Sequence, residues 1–392
     1  MVYDCIIIGA GASGLFCGAA AMQRINGLIL EKTGHAGTKL LMSGNGHCNI
    51  THSGSIKDFI PCYGKNGAKI RKCLYKYNNI SLISFLEDNG IRVLTRNDGK
   101  VFPKSMDAND ILDMLMRRSG DNGFDIKYKT PVDRIKASDS GWQVMSGGND
   151  FTARNLVIAS GGCSYPFTGS DGSMFHVLER DLHIDISCLR PALSSVCVAN
   201  YPYSHLSGIS FENVMISVSG NGGKHAENRG GLIFTHSDLS GPAVMDISKY
   251  ISPGDTISIN YLYPLDNVKV LEILKNSVKK RRTSTSNTIS SEFGLPKRLC
   301  RSMVERYGES LKKLADKLTC ESFIVSSVSG FDKAMVTSGG IDISQLDLSS
   351  MEFKDHPGLF AIGEALDIDG MTGGYNLQLA YSSARTAIAH IH

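Results

Sequence analysis

The 392 residues suffice for two or three domains with substantial cores, and 42% hydrophobic with 20% charged residues excludes large-scale disorder. A formal net charge of +3 is too weak to point to nucleic acid, and the only dense basic run, Lys279 to Arg282, reads as a solvated helix end beside a Ser/Thr-rich loop. Ten cysteines without a C-x-x-C pair argue against a metal site or a secreted disulfide framework and for a reducing, cytoplasmic setting, and no apolar run reaches membrane-spanning length.

Val2 to Ile8 is a nearly continuous β-branched run, as expected of a buried parallel strand. It ends in Gly9-Ala10-Gly11-Ala12-Ser13-Gly14. A stretch of small, helix-compatible residues follows, then a second apolar strand, Leu28 to Leu30, closed by Glu31 and Lys32. Strand, G-x-G-x-x-G, helix, strand and acid within one short unit form a dinucleotide-binding fingerprint. Gly9 permits the tight turn, Gly11 lets backbone approach a pyrophosphate, and Gly14 allows the helix to pack closely on the strand. The helix N-terminus offers N–H groups to the phosphates, and Glu31 can accept from a ribose hydroxyl. The pattern implies an adenine dinucleotide and leaves NAD and FAD open.

The segment "KLLMSGNGHCN", Lys39 to Asn49, is too rich in Gly, Asn and Ser for a stable helix or interior strand, and reads as a loop of backbone amides. A helical stretch is expected from about Lys65 to Asn89. Hairpins are expected at "TRNDGKVF" and "ASDSGWQV", and between them Asp107 caps the periodic segment "DANDILDMLMRR". Strand "RNLVIAS" then runs into Gly161-Gly162. Beyond Pro191, short strands with close turns suggest a small barrel or sandwich, and Asn267 to Leu318 is helical in pattern. Nucleotide-domain character returns at "AMVTSGGID" and closes with "GLFAIGEALDIDGMTGGYNLQLAYSSARTAIAHI". There Gly373-Gly374-Tyr375-Asn376 opens a last helix whose dipole is set to face the same ligand.

Six stretches in this order, "IIGAGASGL", "GTKLLMSGNGHCNIT", "ASGGCSYPFTGSDG", "FTHSDLSGP", "AMVTSGGI" and "GLFAIGEALDIDGMTGGYNLQLA", resemble the YhiN/BaiN-like family of FAD-binding proteins, which includes aminoacetone oxidase-like enzymes. The resemblance implies an α/β fold with a Rossmann-like, glutathione-reductase-like FAD domain built from residues 1–190 and 330–392. A β-barrel-like substrate domain at 191–265 and a small helical cap at 266–329 are inserted between them. It further implies FAD contacts at Lys39, Ser43, Gly44, Asn45 and Asn49. Val132 is placed toward the adenine, Ser160 and Gly161 at the nucleotide, Gly363 and Glu364 at the ribityl-pyrophosphate, and Gly374, Asn376 and Leu377 at the flavin ring. Where the family pattern carries an arginine, this sequence has His47.

His236, within "FTHSDLSGP", and His47 are the candidates for a catalytic or substrate-contacting role, each weighed against a purely structural one. Cys48 reads as a small buried residue rather than a redox thiol, because no resolving cysteine is near. The expected function is FAD-dependent redox chemistry on a small organic substrate, as a reductase recharged by NAD(P)H. An oxygen-using aminoketone or amine oxidase and a non-catalytic flavin-binding regulator stand as alternatives. Oligomeric state is not legible.

Overall fold

Apolar runs without polar alternation can be satisfied only where both faces of a sheet are covered, and the first forty residues take that solution. In the computed structural model of the protein, which describes residues 2–220, 222–280 and 283–391, Val2–Ile8 lies at the centre of a nine-stranded sheet. It pairs in parallel with Gly27–Leu30 on one side and Asn149–Ile158 on the other. Phe124–Lys127 extends the parallel core beyond Gly27–Leu30, and Leu359–Ala361, from the far end of the chain, pairs in parallel with Asn149–Ile158. The register aligns Ile8 with both Leu30 and Ile158, and Ala361 with Ile158. Gly9, Glu31, Ala159 and Ile362 therefore follow strand ends at one edge of the sheet, where a doubly wound fold binds ligands.

The helices that cover the sheet follow from local chemistry. Ala12–Ala19 is built of small and apolar residues and is buried from Ser13 to Ala19. Ala108–Asp121 begins where the Asp107 side chain accepts from the Asn109 amide, satisfying one of the unpaired first-turn donors. Both hairpins form, Val93–Thr95 with Lys100–Pro103 and Arg134–Ser138 with Gly141–Ser146. Where one helical stretch is expected from Lys65 to Asn89, Arg71–Lys76 and Asn79–Asp88 are separate helices; the Asn78 side chain caps the second by accepting from Ser81. Val336–Ile341 lies outside the main sheet, paired with Ile186–Ala192.

The chain divides into two compact units, residues 1–190 with 335–392, and residues 191–334. In the second, six antiparallel strands close a barrel, leaving no open edge. The arrangement differs from a barrel at 191–265 followed by a helical cap at 266–329. The strand that closes the barrel, Glu321–Val328, comes after the helices, pairing with Val196–Val198 and Thr256–Asn260. The helices bury Val270, Leu274, Leu299, Met303 and Leu314 in the same core cluster as the strands, so barrel and helices share one interior. Alternation in "ESFIVSSV" was the available signal, but short alternating runs acquire a partner only in three dimensions. Within this unit the fully buried Glu321 carboxylate accepts from the hydroxyls of Tyr203, Tyr261 and Tyr307 and from Arg306, so its charge is compensated on every side. Part of the basic run Lys279–Arg282 falls outside the described residues. No helix among the described residues is long and apolar enough to cross a membrane.

Candidate functional site

The three fingerprint glycines have different reasons to be glycine. A Cβ on Gly9, which has φ +105°, would come within 2.5 Å of the Ala159 carbonyl oxygen, and one on Gly14 within 2.0 Å of the Gly9 carbonyl oxygen. Both are demanded by the fold itself. Gly11 is not: its backbone (φ −79°, ψ −173°) suits any residue, and a Cβ there would meet no protein atom within 4 Å. Space kept clear of side chain, at the start of a helix whose first amides lack intrahelical acceptors, fits a phosphate group approaching the backbone.

Glu31, 7% exposed, is fixed by three donors: the Ala10 amide at 2.9 Å on Oε2, and the Thr33 amide and hydroxyl at 2.7 and 2.8 Å on Oε1. A carboxylate has about four acceptor positions, so one remains open to a further donor. Val132 lies two residues beyond Thr130, whose amide donates to the Glu31 carbonyl. Lys32 turns elsewhere, pairing with Asp171 at 2.5 Å and donating to Ser173. Ser160 and Gly161 follow the Asn149–Ile158 strand, and a Cβ on Gly161 would stand 2.7 Å from Ser170 Oγ. That hydroxyl, 7% exposed, has no hydrogen-bond partner among the described residues. A buried donor without an acceptor is costly and marks a place where a ligand atom is expected. Ser170 is absent from the sequence-derived set, although it stands in "FTGSDG".

At the other end of the cradle, Lys39 donates to both oxygens of Glu364 at 2.9 and 2.7 Å, and Glu364 Oε1 also accepts from the Thr337 amide. Thr337 Oγ1 in turn accepts from the amides of Cys163 and Ser164. Four separated stretches of sequence thus meet in one polar knot, and Thr337 is a second member that sequence reasoning did not single out. Gly363, whose amide donates to Ser383, packs so tightly on Ser13 that a Cβ would lie 2.5 Å from the serine hydroxyl.

Where all of Lys39–Asn49 reads as a loop, its apolar start instead completes the short helix Thr38–Met42, and the loop proper is Ser43–Asn49. Gly44, Asn45 and Gly46 all have positive φ, a conformation that glycine and asparagine tolerate. Ser43 closes the turn by donating to Leu40 and accepting from the Cys48 amide. His47, exposed, places Nδ1 2.7 Å from the Met106 carbonyl oxygen, which ties the loop to the entry of the Ala108–Asp121 helix. The Asn49 amide, oriented to satisfy both its faces, donates to Thr51 and Val101 and accepts from the Gly374 amide. It thereby joins this loop to the start of the closing helix, Tyr375–Ile388. Asn376 spends its amide on both backbone groups of Gly370, while Leu377 is half-buried in the first turn.

Cys48 is fully buried, and burial pushes its thiol up to about 11 against a hydrogen bond from Ser43. Burial, and then the charge of Glu364, also raise the Cys163 thiol. Neither is a thiolate at neutral pH. His236 is exposed in the turn between Gly223–Phe234 and Asp238–Ser240, within the barrel unit. The turn is closed by reciprocal bonds of Thr235 and Asp238.

A sequence profile described as the HI0933-like protein Rossmann domain matches residues 3–390. The chain belongs to that family. Its members are FAD-dependent oxidoreductases, and this HI0933-like protein is one. It is 31% identical, across 97% of its own length and 96% of the relative's, to the ribosomal RNA dihydrouridine synthase of Escherichia coli K12. It is 27% identical, across 97% of each chain, to the 3-dehydro-bile acid delta(4,6)-reductase of Clostridium scindens. Among solved structures, the 3-ketosteroid-delta4-(5alpha)-dehydrogenase of Rhodococcus jostii RHA1 superposes with a TM-score of 0.54, covering 98% of this chain and 96% of the other, at 15% identity; the likeness is one of fold.

Proposed function

We propose that this HI0933-like protein is a reductase of carbon–carbon double bonds conjugated to a carbonyl, and that its substrate is a uracil ring in ribosomal RNA. The observation that supports the substrate is the whole-length likeness to the E. coli dihydrouridine synthase. A dihydrouridine synthase and a delta(4,6)-reductase share a reaction type: each saturates a carbon–carbon double bond. The reading departs from the expectation of a small organic substrate, which came from the family resemblance, and of no nucleic acid, which rested on charge.

FAD, when bound, would supply the hydride, with a pyridine nucleotide as the source of its electrons, and the second hydrogen would arrive as a proton. The chain's own residues bind and orient. The Ala12, Ser13 and Gly14 amides, beside the clear space at Gly11, would hold the pyrophosphate. Glu31, already held by three donors, would take the adenosine ribose without reorganising. Ser160, Gly161 and Ser170 would line the nucleotide, with Val132 on its adenine side. The Lys39–Glu364 pair, joined at 2.7 Å, would hold the ribityl end, and the Ser43–Asn49 loop, tied through Asn49 to Gly374 at the start of the closing helix, would flank the ring with it. The helix dipole favours negative charge there.

The test is anaerobic incubation of the purified protein with deproteinised ribosomal RNA and NADH or NADPH, followed by mass analysis of nucleosides. Dihydrouridine formation is the expected result. Flavin reduction with no dihydrouridine, but turnover of a dienone steroid, would move the substrate to the second reading, a small-molecule enone, which the Clostridium relative favours.

A further inference from the structure

Net charge hides a local concentration. Residues 57–76 carry six cations and one carboxylate, a local +5 in a chain whose total is +3, so the remainder is net negative. Three of the six, Arg71, Lys72 and Lys76, line a shallow groove of about 710 Å³ together with Ile60 and Tyr75. Arg71, Lys72 and Lys76 are exposed, and among the described residues no carboxylate pairs with them. Tyr75 is 45% exposed, so that an aromatic face stands among these cations.

The segment between Ile60 and Arg71, which leads into the groove, is tied to the stretch that opens the closing helix. The Met371 amide donates to the Cys62 carbonyl, Tyr63 donates to the Tyr375 carbonyl, and the Asn66 side chain donates to the Asp367 carbonyl. Lys65 adds a long ion pair with Asp367 at 3.9 Å. Helix Arg71–Lys76 packs below on the closing helix through buried Cys73, which accepts from Thr386. A polyanion lying in the groove is therefore carried by a segment tied both to the 367–375 stretch and to the closing helix.

From this we infer that the groove at Ile60, Arg71, Lys72, Tyr75 and Lys76 is the surface on which the RNA strand lies, with its phosphates on the three cations and a base on Tyr75. The inference rests on the proposed RNA substrate and adds where that RNA is held. Lys76 lies over the Tyr77 ring at 5.2 Å, but among the described residues no carboxylate neutralises any of the three cations; such cations release counterions on binding phosphate, and an exposed tyrosine face stacks a base whatever its identity. A carbonyl-bearing small substrate requires neither.

The experiment compares the FAD-loaded wild type with R71E/K72E/K76E, the milder R71Q/K72Q/K76Q, and a control reversal on the barrel unit, K312E/K313E. Binding of a labelled oligouridylate and of deproteinised ribosomal RNA is followed against salt. The wild type should bind both, and the slope of log K on log salt should fall by about 2 in the glutamine variant, from three single-strand phosphate contacts at ~0.7 each. Flavin absorbance and melting temperature report that each variant remains folded. Unchanged affinity and slope in both groove variants, with RNA still bound, would overturn the groove while leaving an RNA substrate standing. A wild type that binds no RNA overturns both. Retention by phosphatidylserine vesicles with no RNA binding makes the groove a membrane contact and overturns the inference.

Discussion

Lys39 and Glu364 stand 325 positions apart in sequence and meet through two hydrogen bonds of 2.9 and 2.7 Å, joining the first and last portions of the cofactor domain. Their side chains are 24% and 19% exposed, so the pair is screened less than a surface ion pair and desolvated less than a core one. Glu364→Gln should cost about 2–3 kcal/mol, because a charge-assisted partner is lost from both Lys39 and the Thr337 amide. Lys39→Met/Glu364→Gln should cost less than the sum of the single changes. Chemical denaturation of the four proteins of this cycle measures the coupling, and strict additivity would show that the pair contributes nothing.

Gly11 and Gly14 separate the cofactor's demand from the fold's. Gly11→Val should leave the apoprotein within about 1 kcal/mol of wild type, since no protein atom lies within 4 Å of the added Cβ, yet abolish FAD retention. Gly14→Ala should destabilise the apoprotein by about 3 kcal/mol or more through its clash with the Gly9 carbonyl. Flavin absorbance after gel filtration and apoprotein melting provide the two readouts. Full flavin occupancy in Gly11→Val would remove the phosphate from that position.

Ser170→Ala removes a buried hydroxyl that has no partner within the described chain. The apoprotein should melt at the same temperature or higher, while the dissociation constant for FAD rises about fivefold to tenfold, the loss of one hydrogen bond. Fluorescence titration of apoprotein with FAD gives the constant. An unaltered constant would mean that the hydroxyl faces no ligand atom.

Cys48 should resist iodoacetamide up to about pH 10 in the folded protein and react readily once unfolded, since its thiol is raised to about 11. The sign for stability follows. The folded state holds this proton more tightly than the unfolded chain, whose thiol titrates near 8.5. Its contribution is complete below that value and is lost as pH rises toward about 11. Over that interval the wild type should lose stability relative to Cys48→Ser in urea unfolding. Rapid alkylation of the folded protein at neutral pH would contradict the burial.

Much of what depends on neighbours in sequence was legible without the structure, the break at Asn78 between two helices excepted. The fingerprint strand and helix, the acid at Glu31, both hairpins and the Asp107 cap follow from side-chain period, turn chemistry and local hydrogen bonding, and each forms where expected. The order of motifs also placed the last forty residues with the first. Tertiary structure alone decided the pairings between distant segments. It closed the barrel with Glu321–Val328 after four helices, brought Thr337 into the Lys39–Glu364 knot, and left Ser170 buried without an acceptor. It also decided which charges are isolated: a net charge is a sum, in which carboxylates elsewhere cancel Arg71, Lys72 and Lys76 on paper. In space, none stands close enough to pair with them among the described residues.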